Sequence, residues 1–95
     1  MSNHQNSIFK YALRFGEPNN LSLTAGSKFL YAAEQHNCIC VWYEVPHGPQ
    51  QIRSLQNIPT GEAVVPKLAN HLSSVLANGG NFVWHIYELV KDFRT

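Results

Sequence analysis

Ninety-five residues hold one domain with one core, and a chain of that length buries roughly two thirds of the surface its unfolded form exposes, so the sequence reads as a single domain over 1–95. An apolar share of 44% with 12% aromatic residues excludes a disordered chain, and a formal charge of +1 lacks the basic footprint that duplex nucleic acid attracts. Charged residues make up just 14%, less than a small monomer usually carries on its surface, which points to a homo-oligomer in which copies cover one another. No run approaches the twenty or so apolar residues that cross a bilayer, and the polar start Met1 to Ser7 is unlike a signal peptide. The expectation is a cytoplasmic protein without a membrane, with residues 1–7 as a disordered tail.

Phe9, Tyr11, Leu13 and Phe15 alternate with charged or small residues, the period of a half-buried strand with those four side chains inward. Gly16 to Asn20 has turn composition, and Leu21 and Leu23 alternate with Ser22 and Thr24 in a second short strand that ends at Ala25-Gly26-Ser27. Lys28–Gln35 and Cys38–Val45 flank His36-Asn37 as the two arms of a hairpin, and the β-branched and aromatic content of the second arm predicts a central strand. Pro46 to Gln51 reads as an exposed loop, after which Ile52–Ile58 resumes as a strand.

The segment 66–77 supports two readings. Val65, Leu68, Leu72, Val75 and Leu76 fit a helical stripe with Pro66 at its start and Gly79 past its end. Alternatively, His71–Ala77 is a strand that turns through Asn78-Gly79-Gly80-Asn81 into Phe82–Val90, a run apolar on both parities, as a strand covered on both faces would be. The fold expected is mainly β, a small antiparallel sandwich or partly open barrel of six to seven strands, with a short helix near 66–77 as the variant.

Four constellations carry potential chemistry. His36, His47, His71 and His85 with Cys38 and Cys40 supply zinc-type ligands, but the turn at His36-Asn37 breaks their spacing, so no metal site is expected and the cysteines read as reduced, packed thiols. A Cys–His nucleophile pair needs an exposed, electropositive setting, whereas Ile39, Val41 and Trp42 predict an apolar one; Glu44, Glu62 and Glu88 show no pairing suited to hydrolysis. Thr60-Gly61-Glu62 reads as a plain turn or as a weak anion-binding turn, without a P-loop or dinucleotide fingerprint beside it. Lys10, Arg14, Lys28 and Arg53 with Trp42, Tyr43, Trp84 and His85 mix cations with flat rings: either a core of aromatics ringed by basic residues, or a pocket that stacks on a base and holds its phosphates.

Several stretches together resemble a group of small tailed-bacteriophage proteins of uncharacterised function. These are Ile8-Phe9-Lys10-Tyr11, Leu21-x-Leu23 with Gly26-Ser27-Lys28-x-Leu30, Cys40-Val41-Trp42, Ile58-Pro59-Thr60-Gly61-Glu62 and Phe82-Val83-Trp84-His85-x-Tyr87-Glu88, in order over residues 8–89. Where that group usually shows Gly-Thr-Gly-His, this chain has Pro59-Thr60-Gly61-Glu62. The resemblance implies a compact β-rich fold, a strand rather than a helix near 66–77, and activity in the cytoplasm of an infected bacterium. It brings no enzymatic activity or cofactor. By analogy with accessory phage proteins it implies a sponge for a nucleotide-derived immune messenger, with Lys10, Arg14, Trp42, Tyr43, Arg53, Thr60, Gly61, Glu62, Trp84 and His85 as ligand-binding candidates. The alternative is an inhibitor that docks on a host defence protein.

Overall fold

The structure, a computed structural model, describes residues 5–63 and 69–89. They form β1 (Ser7–Leu13), β2 (Asn19–Thr24), β3 (Lys28–Gln35), β4 (Cys38–Val45), β5 (Gln50–Pro59), β6 (Ala69–Ala77) and β7 (Phe82–Leu89). Two antiparallel sheets result, one of three strands in the order β1-β4-β3 and one of four in the order β2-β5-β7-β6. No helix long and apolar enough to cross a membrane occurs among the described residues. The architecture is the expected small β-sandwich.

The two sheets bury Leu13, Leu21, Leu23, Ile39, Val41, Tyr43, Leu55, Val75, Ala77 and Ile86 between them, with Tyr11, Phe29, Ala32, Leu72 and Trp84 packed around that core. Strand parity explains the set, since Ile39, Val41 and Tyr43 share one face of β4, and Leu21 and Leu23 one face of β2. At one flank β3 packs beside β6, where the Glu34 carboxylate accepts the Asn78 N–H at 3.0 Å.

The β3–β4 hairpin turns at the two residues expected, with φ of 51° at His36 and 65° at Asn37. That positive pair is what a two-residue hairpin of right-handed twist requires. β4 is indeed central, paired with β1 on one side and β3 on the other. β5 begins at Gln50, inside the stretch expected as loop, because Gln50 and Gln51 pair with Thr24 and Leu23 of β2. The remaining loop is anchored, as Thr24 Oγ1 donates to the Pro46 carbonyl at 2.6 Å.

Several expectations are corrected. Of the two readings for 66–77 the strand holds, over Ala69–Ala77, and only the helical variant falls: pairing with β7 buries Val75 and Ala77 and leaves Leu76 67% exposed. Tertiary register thus overrides the helical stripe. Val65, Pro66 and Leu68 lie outside the described residues, as does Val90. Of the expected tail, Ser7 is already paired with Val45 and Asn6 donates to Glu44 at 2.8 Å; residues 1–4 lie outside the described part. Phe9, expected inward, is half exposed at the sandwich edge, and Phe15 falls beyond the end of β1. Both cysteines are free thiols, but only Cys40 is packed; Cys38 is exposed. β7 is not covered on both faces, since its outer face carries the half-buried His85 and Tyr87.

Candidate functional site

The end of the sandwich holds a cavity of about 300 Å³ lined by Phe15, Gly16, Gln56, Asn57, Ile58, Pro59, Glu62, Ala63 and Trp84. Asn19, 6% exposed, builds one wall through the preceding turn. Its Oδ1 accepts the Arg14 N–H at 2.7 Å, and its Nδ2 donates to the carbonyls of Arg14, Glu17 and Leu55 at 3.0, 3.2 and 3.4 Å. With the turn so tied, Gly16 takes a φ of 81°, and Phe15 lies against Trp84 of β7 at 4.5 Å between ring centroids, tilted by 43°. A Cβ is disfavoured at that φ, which suits glycine to the position.

Asn57 supplies the opposite character. It sits on the inward parity of β5, between Leu55 and Pro59, and is 2% exposed, yet neither its Oδ1 nor its Nδ2 has a hydrogen-bond partner among the described residues. A buried amide in that state costs about 1–3 kcal/mol for each group left unmade. One donor and one acceptor thus lie unpartnered among the described residues and closed from solvent, in a residue that borders the cavity beside the packed rings of Phe15 and Trp84.

On the other side of the same turn, Ile58, Pro59, Thr60, Gly61, Glu62, His85 and Tyr87 line a shallower cavity of about 220 Å³. Glu62 N–H donates to the Pro59 carbonyl at 3.1 Å, and Gly61 has a φ of 101°. The turn therefore needs its glycine. Of the candidates read from the sequence, Thr60, Gly61, Glu62 and His85 come together in one place, and Glu62 also lines the aromatic cavity with Trp84. A third cavity, about 230 Å³, lies among Phe9, Thr24, Pro46, His47 and neighbours and includes none of the candidates.

The other candidates are elsewhere. Tyr43 is fully buried and belongs to the core; burial pushes its hydroxyl up to about 12 from 10.0, against the opposing pull of Arg53. Arg53 is internal too. Its Nε and Nη2 donate to the two Glu88 carboxylate oxygens at 2.7 and 2.8 Å, its Nη1 donates to the Ser27 carbonyl at 2.9 Å, and its guanidinium lies 5.3 Å from the Tyr43 ring centroid. The Glu88 hydrogen bonds raise its already high pKa, so Arg53 is a fixed cation committed to its own chain. For these two residues the reading as core prevails over the reading as pocket.

Lys10 and Trp42 are cross-strand neighbours on the outer face of the three-stranded sheet, where Lys10 donates to Gln35 at 2.9 Å and Trp42 lies 5.5 Å from Tyr31. Arg14 is exposed and pairs loosely with Glu17 at 3.6 Å, one residue before Phe15. Phe15 and Asn57, which line the cavity, were not among the ligand-binding candidates. Asn57 alone left a signal, a polar residue at the parity of buried Leu55.

Fold and site together define a two-sheet antiparallel β-sandwich with an aromatic-lined cavity of about 300 Å³ at one end. The chain belongs to the family described as a domain of unknown function, DUF7352, whose model matches residues 4–94. No curated protein and no solved structure matches it.

Proposed function

We propose that the protein binds a nucleotide-derived small molecule by its base and holds it without turning it over. The observation that carries this reading is Asn57, a buried amide with both polar atoms unpartnered among the described residues, lining a cavity walled by Phe15 and Trp84. An asparagine amide pairs in bidentate fashion with a heterocycle that presents a donor beside an acceptor, as the N6/N7 edge of adenine does. Aromatic walls suit the same ligand, since stacking on a base contributes about 1–3 kcal/mol. The volume of about 300 Å³ is at the low end for small-molecule sites, which suits a base with its sugar and phosphate outside the cavity. In the setting that the phage resemblance implies, the cytoplasm of an infected bacterium, such a protein withdraws an immune messenger as a sponge.

A homo-oligomer is part of the proposal. Ile8 and Tyr31 stand 63% and 61% exposed on the outer face of the three-stranded sheet beside half-buried Trp42. An apolar face of that kind is suited to cover by another copy. The same face supports the second reading, an inhibitor docked on a host defence protein, and a pull-down from infected cells separates the two.

Isothermal titration against cyclic and ADP-ribose-type nucleotides bearing adenine tests the first reading. Saturable binding is expected, weakened about tenfold or more by Phe15→Ala; absence of binding across the panel overturns it. Ligand recovered chemically intact after heat release supports holding without turnover, and a hydrolysed product refutes that part.

A further inference from the structure

The outer face of the four-stranded sheet carries a continuous hydrogen-bonded chain built from β6, β7 and the turn that follows β5. His71 Nε2 lies 2.9 Å from Ser74 Oγ, Ser74 Oγ 2.8 Å from His85 Nδ1, and His85 Nε2 2.8 Å from Thr60 Oγ1. Thr60 Oγ1 in turn lies 3.4 Å from the Val83 carbonyl oxygen. The His85 tautomer decides the direction of the chain, and with hydrogen on Nε2 the chain runs toward the Val83 carbonyl, which can only accept. Thr60 donates to Val83 and accepts from His85 Nε2–H. The neutral imidazole of His85 then has a bare Nδ1, which accepts the Ser74 hydroxyl hydrogen, and Ser74 oxygen accepts from His71 Nε2–H. Each donor has one acceptor.

A backbone irregularity makes the arrangement possible. Ser74 stands directly opposite His85. His71, three residues earlier, would point to the other face of a regular strand. The register shift between His71 and Ser73 lets Leu72 pack on the core while His71 and Ser74 share the outer face. The Tyr87 ring meets the His71 ring edge-on at 5.2 Å. Ser74 is exposed, and its partner His85 lines the cavity of about 220 Å³ together with Thr60 and Glu62.

A serine hydroxyl bonded to an imidazole whose second nitrogen is held by a third group is the geometry of an activated nucleophile. We propose that Ser74 accepts an acyl group from a small activated ester, with His85 as base and Thr60 as the positioning residue of the His85 ring. Ser74 Oγ bonds to the acyl carbon while its proton moves to His85 Nδ1. The bond from that carbon to the leaving oxygen breaks with its electron pair, and the proton passes to solvent. This site is on the outer face of the sheet, so it stands or falls apart from base binding at Asn57.

The probe is p-nitrophenyl acetate on the full-length protein, with nitrophenolate release followed by absorbance and the acetyl group located by peptide mass mapping. Expected is one acetyl ester on Ser74, absent in Ser74→Ala and formed about 100-fold more slowly in His85→Gln, the scale of general-base assistance. Thr60→Val slows it while Thr60→Ser restores it, an outcome that a merely structural threonine does not produce. Thermal unfolding and far-UV circular dichroism confirm that each variant is folded, and Ser74→Ala keeps any nucleotide binding of the aromatic cavity. Acetylation confined to lysines, or a Ser74 rate independent of His85, overturns the proposal.

Discussion

Asn19 and Asn57 lie on neighbouring strands of one sheet, are 6% and 2% exposed, and meet opposite fates. The first spends its amide on four backbone groups and holds the Arg14–Glu17 turn. The second spends its amide on nothing in the described chain and lines a cavity. The Arg53–Glu88 pair, with 19% of each side chain exposed, belongs with Asn19, because protein groups answer its charges. A buried polar group that its own chain satisfies is architecture; one left open among the described residues, beside a cavity, is what the proposed function rests on. The Tyr43 hydroxyl also lacks a partner among the described residues, but Tyr43 lines none of the three cavities and lies under Arg53.

The contrast is broken most forcefully at Glu88. Glu88→Ala leaves the Arg53 guanidinium partly buried without its carboxylate, and a loss of about 3 kcal/mol is expected in urea unfolding; a loss under about 1 kcal/mol removes the pair from the architecture. Next is the alkaline limb at Tyr43. Its pKa of about 12 in the folded state exceeds 10.0, so the folded state holds its proton more tightly. That contribution is complete below pH 10, declines as pH rises from about 10 to 12, and amounts to about 2 kcal/mol. Tyr43→Phe should flatten this part of the stability–pH curve, and an unchanged slope would falsify the assignment.

Asn19→Ala should cost about 2 kcal/mol, the loss of a buried and fully bonded amide, and loosen the turn so that ligand affinity falls with stability. Asn57→Leu sharpens the comparison because its two readouts move in opposite directions. Replacing an unsatisfied amide with an apolar side chain of similar size should raise stability by about 1 kcal/mol while abolishing ligand binding. Should Asn57→Leu prove destabilising instead, Asn57 has structural partners and the distinction from Asn19 collapses.

Much of the fold was legible in the chain because it rests on local rules. Alternation marked β1 to β4, and the turn-tolerant His36-Asn37 pair located the hairpin, since positive φ at both residues is a local demand. Around the site, Thr60, Gly61, Glu62, Trp84 and His85 were legible by residue type, because hydroxyl, carboxylate, indole and imidazole near a glycine turn are chemistry-bearing anywhere. Arg53 and Tyr43 looked equally suited to a ligand and proved internal.

The sequence by itself determined the strand-rich class, the central β4 and the turn at Gly61, all consequences of period, propensity and backbone freedom over a few residues. Tertiary structure alone decided the rest. β6 became a strand because β7 offered a ladder that buries Val75 and Ala77, and its bulge at Leu72 turned His71 toward Ser74. Asn57 differs from Asn19 because neither of its amide atoms finds a hydrogen-bond partner among the described residues. Register and partner supply are set between residues far apart in the chain, and no local pattern encodes them.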